Sequence, residues 1–293
     1  MLDDIRRAAD RRMVTVSIFF DFSKAFDRVH HGILLNKLKN KGLSCAALKW
    51  MASYLMGRTQ AVYDKFSDTT SSLTHLGIGV PQGSVLGPLL FTLYISDIGG
   101  MLKNCKYNFY ADDLQIYLHC KPSNLQRDVM RVNEDVASIV HWAESCGLKL
   151  NSNKTQAILF GTTKYVNAID LETLPVLEIN GSTIRFSTSI KYLGITVTNT
   201  LAWDLHVSNV VKNVRTKLYQ LKLSKHLLPT QLKIKLIISL IFPHLDYCSA
   251  ALTDIKGQLD TQLYRVDARR NYFVGCQLFS LSVRSSLNFS TTV

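Results

Sequence analysis

Two acidic strand ends are the residues of this chain best placed to do chemistry. The run Tyr110-Ala111-Asp112-Asp113 separates two alternating stretches, Lys106–Tyr110 and Leu114–His119. Period-two alternation on both sides predicts a β-hairpin with two carboxylates at its tip, and Asp tolerates the left-handed backbone that a tight turn demands. Taken alone, such a pair is turn chemistry. A second acidic strand end, Asp21, closes the run Val14-Thr15-Val16-Ser17-Ile18-Phe19-Phe20-Asp21 and changes that reading. Two strands that each end in Asp bring carboxylates to one sheet edge, as a two-metal site needs. Hard divalent cations take oxygen ligands, commonly one or two carboxylates plus substrate phosphates. Two ions about 3.5–4 Å apart activate an attacking hydroxyl and stabilise a leaving oxygen. The chemistry is therefore phosphoryl transfer, with Asp21 and Asp112 expected as bridging ligands and Asp113 as an auxiliary.

The elements that must position these groups are legible around them. A helix is predicted from His31 to Lys39, ending at Gly42, and another from Ser44 to Met56, with Ser44 as N-cap and Gly57 as stop. Gln60–Lys65 and Leu73–Val80 read as strands about a Ser/Thr-rich turn. Ser84–Leu102 is apolar enough for a buried helix, with Ser84 as its cap. After the hairpin, Leu125, Val129, Val132, Val136, Ile139, Val140 and Ala143 recur at helical spacing, and a strand follows over Thr155–Phe160. The order is a split β-α-β-β-α-β pattern, an α+β fold with an antiparallel sheet covered by helices on one face. Further on, Val207, Val210, Val211, Val214, Leu218 and Leu221 mark one helical face, and Thr230–Tyr247 reads as a helix interrupted by Pro243.

Composition narrows the partners. The 293 residues include 47% hydrophobic ones, enough for a sizeable core, and 34 Lys and Arg against 22 Asp and Glu give a net charge of +12. That excess suits a polyanion or an anionic membrane surface. Between Asp204 and Asp246 there is no acidic residue, while Lys212, Arg215, Lys217, Lys222, Lys225, Lys233 and Lys235 fall there. An uncompensated stripe of this kind favours phosphate contact over a solvated face of mixed sign. The six cysteines show no CxxC pair and read as structural thiols in a reducing compartment. His30-His31 reads as a surface or helix-start pair, because sequence neighbours diverge on a helix or strand. No signal-peptide core and no apolar run near the ~20 residues of a membrane span is present. The expected location is intracellular, nucleus or cytoplasm, with no membrane partner.

Together these blocks resemble a known family. Asp21-Phe22-Ser23-Lys24-Ala25-Phe26-Asp27-Arg28-Val29, Gly79-Val80-Pro81-Gln82-Gly83-Ser84-Val85-Leu86-Gly87-Pro88 and Tyr110-Ala111-Asp112-Asp113 look like three successive polymerase motifs of reverse transcriptases. Gly147-Leu148-Lys149-Leu150-Asn151-Ser152-Asn153-Lys154-Thr155 and Tyr192-Leu193-Gly194-Ile195 fit two further motifs in order. The likeness is to non-LTR, LINE-type, Jockey-like retrotransposons.

The resemblance implies a right-hand polymerase: palm with partial fingers and primer grip over 1–199, helical thumb over 200–275, and an unassigned tail over 276–293. It implies RNA-directed DNA synthesis on an RNA template, with a DNA primer, deoxynucleoside triphosphates and two Mg²⁺ ions, or Mn²⁺ in their place. Asp21, Asp112 and Asp113 would be catalytic carboxylates and metal ligands, with the Phe22 carbonyl completing the metal shell. Phe26 would be the steric gate against a 2′-hydroxyl, although a core Phe at a helix start is an equally plain reading. Asp27 would sit beside it, or cap the following helix. Gln82 and Gly83 would contact the nucleotide, and Lys154 would neutralise charge near the departing pyrophosphate. Tyr192, Leu193 and Gly194 would form the primer grip, with Gly194 admitting the primer backbone. Lys212, Arg215 and Lys222 would track the nucleic-acid backbone. Most of the family's upstream fingers and its endonuclease have no counterpart here, so the expectation is a partial copy of a retrotransposon polyprotein. A non-catalytic RNA- or duplex-binding remnant and a two-metal phosphatase or nuclease are the alternatives.

Overall fold

Alternation, caps and turn residues set the elements of the computed structural model, which describes residues 1–224, 226–252, 257–259 and 261. Contacts divide the chain into two units, Met1–Thr188 and Ser189–Val293. The division precedes the Tyr192-Leu193-Gly194 hairpin, whereas the sequence reading set it after residue 199.

The first unit begins with α1 (Leu2–Asp10), β1 (Val14–Phe20), α2 (His31–Asn40) and α3 (Cys45–Leu55). Ser44 caps α3 as expected, its hydroxyl accepting from the Ala47 N–H. Four short strands follow: β2 (Arg58–Gln60), β3 (Tyr63–Asp64), β4 (Thr69–Thr70) and β5 (Thr74–Leu76). They pair β2 with β5 and β3 with β4, so the two expected strands are two small ribbons. Next come α4 (Leu86–Ile95), β6 (Lys106–Tyr110), β7 (Asp113–Cys120), α5 (Leu125–Ser145) and β8 (Gln156–Phe160). The unit ends with α6 (Thr163–Ala168), β9 (Leu177–Ile179), β10 (Ser182–Ile184) and β11 (Phe186–Ser187). The long helix expected over 84–102 stops at Ile95 and is followed by a 3-10 turn, Ile98–Met101. Between them Asp97 accepts hydrogen bonds from Lys37 and Trp142.

One sheet organises this unit, in the order β11-β8-β1-β7-β6. β1 is central and antiparallel to both β7 and β8. The expected antiparallel sheet is corrected in one respect: β11 pairs parallel with β8. Two residues are too few for alternation to announce a strand. Val14, Val16, Ile18 and Phe20 join Leu114, Ile116, Ala157 and Leu159 in a core that also holds Leu34 and Leu38 of α2, Phe91 of α4 and Val129, Val132 and Val136 of α5. Those three helices cover that face. The one-face expectation is corrected by α1, whose Asp4 accepts from the Tyr117 hydroxyl at 2.9 Å and pairs with Lys106 at 3.3 Å. Cross-strand register puts Tyr117 and Lys106 on the opposite face, beside Ser17.

Helix α5 does more than supply an apolar stripe. Its Asp135, 1% exposed, accepts the backbone N–H groups of Lys103, Asn104 and Cys105 at 3.0, 2.9 and 2.7 Å. A buried carboxylate is tolerated only when its charge meets donors. Here those donors are the residues leading into β6, so the helix fixes where the acidic hairpin starts.

The second unit holds β12 (Ser189–Tyr192), β13 (Ile195–Thr198), α7 (Asp204–Leu223), α8 (Thr230–Leu240) and α9 (Phe242–Asp246). Val207, Val211, Val214 and Leu218 are buried, as the helical spacing predicts. Pro243 marks the break between α8 and α9, sitting in the first turn of α9 where its missing N–H costs nothing. Lys225 and the expected tail, 276–293, lie outside the described residues.

Candidate active site

The sheet register brings the carboxylates to one end. Phe20 pairs with Leu114, so the next step outward sets Asp21 against Asp113. Tyr110 pairs with Asp113 across a two-residue turn, Ala111-Asp112. Burial raises the Asp113 carboxyl above the ordinary aspartate range, and the charges of Asp112 and then Asp21 push it further in the same direction. Mutual repulsion of this kind is what a bound cation relieves. The positive backbone angle at the turn belongs to Ala111, at φ +54°, and not to an Asp. An L-residue with a Cβ there costs roughly 1–2 kcal/mol, a strain held beside the acidic pair.

Past β1 the chain is stitched to the segment around Leu150. Ser23 N–H donates to Lys149 O and Asn151 N–H to Asp21 O, both at 2.8 Å, flanking a bridge between Phe22 and Leu150. In that pairing the N–H and C=O of Phe22 itself point away from Leu150, which leaves its carbonyl available on the other side. Asn151 O then accepts from the N–H groups of Lys154 and Thr155. The Thr155 hydroxyl closes the loop on the Asp21 N–H at 3.5 Å. Lys154 reaches the Asp21 carboxylate at 3.9 Å with 70% of its side chain exposed. An ion pair so solvated adds little stability; its importance is that the fold carries an ammonium to the acidic edge.

The second expected loop docks on the first. Gly79 N–H donates to Val29 O at 2.8 Å and Val80 N–H to Phe26 O at 2.9 Å. Gly79 has φ +91°, and a Cβ on it would stand 3.1 Å from the Asp27 backbone, so both conformation and contact demand glycine. His31 is buried, and its Nε2 lies 2.7 Å from Gly79 O. The surface reading of the histidine pair is thus corrected for His31, whose imidazole closes the loop, while His30 is the N-cap of α2. Phe26 is half-buried and stacks on Phe91, ring centroids 4.5 Å apart. Asp27 does not cap a helix: its Oδ1 accepts from Gln82 Nε2 at 2.8 Å. Gly83 follows at φ +79° with open space beside it. The Ser84 hydroxyl accepts from the Gly87 N–H at 3.0 Å, doing the work of a cap one residue before the formal N-cap, Val85. Sequence reasoning missed the Asp27–Gln82 and His31–Gly79 contacts because each joins residues roughly fifty positions apart.

In the second unit, Tyr192 pairs with Ile195 around Leu193 and Gly194, at φ +45° and +79°. Two positive angles make a type I′ turn, matched to the twist of a hairpin. The Tyr247 hydroxyl donates to Leu193 O at 2.8 Å. A Cβ on Gly194 would meet the Tyr247 ring at 3.0 Å, so the close approach anticipated for this glycine is made by Tyr247. On α7, Lys212, Arg215 and Lys222 lie along the flank of the buried seam, with Lys212 and Arg215 fully in solvent. Lys217 departs from that stripe. Its ammonium donates to Leu240 O at 3.2 Å and lies 2.5 Å from His244 Nε2. Burial and then the Lys217 charge hold the His244 imidazole below its usual range, so it accepts as the neutral form.

Among the described residues, no three His, Cys, Asp or Glu side chains form a group that could hold a metal ion by themselves. That fits a hard ion that takes one or two carboxylates and completes its shell from phosphates. No described helix is long and apolar enough to cross a membrane.

Comparison with known proteins agrees with the order of the blocks. The chain is 28% identical to the RNA-directed DNA polymerase from mobile element jockey of Drosophila melanogaster over 82% of its length and 26% of the relative's. It is also 28% identical to the probable RNA-directed DNA polymerase from transposon X-element of the same fly, over 95% of this chain and 30% of that one. The chain thus spans between a quarter and a third of these two relatives. A solved telomerase from Candida albicans in complex with a telomeric RNA fragment superposes with a TM-score of 0.46 at 16% identity, covering 93% of this chain and 48% of that one. The model of the family described as reverse transcriptase (RNA-dependent DNA polymerase) matches residues 2–197, and the chain belongs to that family.

Proposed function

We propose that this chain is the catalytic segment of an RNA-directed DNA polymerase encoded by a non-LTR retrotransposon. It extends a DNA primer on an RNA template with deoxynucleoside triphosphates. The observation that carries the reading is the strand register that sets Asp21 against Asp113 with Asp112 in the adjoining turn. Asp21, Asp112 and the Phe22 carbonyl would hold two Mg²⁺ ions, with Asp113 as auxiliary. Bound there, the ions would supply activation of the primer 3′-hydroxyl and charge neutralisation at the leaving pyrophosphate.

The remaining roles fall to the chain's own residues. Lys154 presents an ammonium to the phosphates, and Phe26, braced by Phe91, limits space at the sugar 2′ position. Gln82 and Gly83 line the nucleotide site. The first unit serves as palm with partial fingers. The hairpin at Tyr192, Leu193 and Gly194 acts as primer grip, and α7 and α8 form a thumb. Its Lys212, Arg215 and Lys222 contact phosphates without reading sequence.

The test is primer extension by the purified chain on a ribonucleotide template with Mg²⁺ and deoxynucleotides. Templated extension that disappears when Mg²⁺ is withheld is the expected result. Binding without extension would reduce the chain to a duplex-binding remnant, and strand cleavage would favour a two-metal hydrolase. Changing Lys212, Arg215 and Lys222 together to Gln should weaken duplex binding and flatten its salt slope by about 0.7–0.9 for every phosphate no longer neutralised.

A further inference from the structure

We propose that Asp27 is a positioning residue that sets the polarity of the Gln82 amide, so that the loop reads a hydrogen-bond donor on the incoming nucleotide's sugar. The inference deepens the polymerase reading and rests on it. Gln82 Nε2 stands 2.8 Å from Asp27 Oδ1. An ionised carboxylate only accepts, so the amide nitrogen alone can face it. With Nε2 held there, the planar group turns Oε1 the opposite way, as an acceptor. Left free, an exposed amide would present either edge.

The backbone beneath makes this orientation a property of the fold. Val80 N–H bonds to Phe26 O and Gly79 N–H to Val29 O, at 2.9 and 2.8 Å, and His31 holds Gly79 O at 2.7 Å. Gly79 lies against the Asp27 backbone closely enough that a Cβ would stand 3.1 Å away. The segment that carries Phe26 therefore also fixes the height of Gln82. Phe26 and Gln82 then form two halves of one sugar gauge: the ring takes up space, and the amide offers an acceptor. A deoxynucleotide has one sugar hydroxyl to give to that acceptor, at its 3′ position.

The comparison that isolates the role is incorporation of a deoxynucleotide against its 2′,3′-dideoxy analogue. The two have the same base and charge, so removing the Asp27 carboxylate alters electrostatic attraction to both alike. The parent should prefer the deoxynucleotide in kcat/KM. Asp27→Ala should lower that preference by a factor of about 5–10, the range of one ordinary hydrogen bond, chiefly through KM. Asp27→Asn, whose carbonyl can still accept from Nε2 but whose amide permits the flipped pairing, should fall between. Gln82→Met should lose the preference, and Asp27→Ala should add nothing to it, because the two act as one unit. Equal effects of Asp27→Ala on both nucleotides would overturn the positioning role.

A second measurement does not depend on catalysis. The side-chain amide resonance of Gln82, identified by its disappearance in Gln82→Met, should be displaced in the full-length parent and return to the free-amide position in Asp27→Ala. An unchanged resonance would overturn the contact itself. A parent that shows the displaced resonance but no primer extension would overturn the polymerase reading and the sugar role together, leaving the Asp27–Gln82 contact standing.

Discussion

The molecule contains two tight hairpin turns of the same length that resolve the same backbone problem in opposite ways. At Leu193-Gly194 both angles are positive, glycine takes the more demanding place, and Tyr247 closes over the turn. At Ala111-Asp112 an alanine bears the positive angle, next to carboxylates that repel one another. The first turn is built for stability and the second is not. Strain and unfavourable charge collect at sites where geometry serves a ligand, and of these two turns only the one at 111–112 shows both.

The contrast is broken most severely by Asp112→Asn, which should lower primer extension by about 10³-fold, the order of magnitude that one preorganised electrostatic group supplies. Duplex binding should persist, because the groups that meet the nucleic-acid backbone are untouched. Normal extension by that variant would remove the acidic turn from the chemistry. Gly194→Ala should act on folding instead, costing about 1–3 kcal/mol for a Cβ at positive φ pressed on the Tyr247 ring. A denaturant midpoint equal to the parent's would show that the turn relaxes without cost.

Two smaller effects sharpen the contrast. Asp113 has a raised carboxyl, so ionising it favours the unfolded chain. Stability of the parent should fall as pH rises from the ordinary aspartate range through the raised folded value. Asp113→Asn should match the parent below that window and exceed it above, with millimolar Mg²⁺ narrowing the gap if the ion binds there. Thermal midpoints across pH with and without Mg²⁺ would check both signs. Ala111→Gly should stabilise the chain by about 0.5–1 kcal/mol, the αL penalty relieved less the added chain entropy. A drop in stability in urea melts would mean that Ala111 is not strained.

The acidic edge was legible because each carboxylate ends an alternating run, and alternation survives in sequence. Helices α2, α3, α5 and α7 were legible by periodicity and caps for the same reason. What escaped were interactions that local pattern does not encode: β11, two residues long; α1 against the second sheet face through Asp4; and Asp135 beneath the hairpin. Residue preference also assigned the left-handed angle to Asp where Ala111 takes it, because it outranked position within the turn. Asp27 was read for its propensity to cap, and its partner lay on the other loop.

The pairing of β1 with β7 also governs how this stretch of chain can change length. From Phe20↔Leu114 back to Val14↔Cys120 the two strands run without a bulge. Deleting one residue from β1 would turn Asp21 toward the core face. Deleting two would restore the face but withdraw the carboxylate by roughly 6–7 Å along the strand, beyond sharing an ion with Asp112. Insertions and deletions should therefore be excluded from 14–21 and 112–120 yet tolerated in the exposed ribbons at 58–76. Length variation across functional copies would map the site without any knowledge of its chemistry.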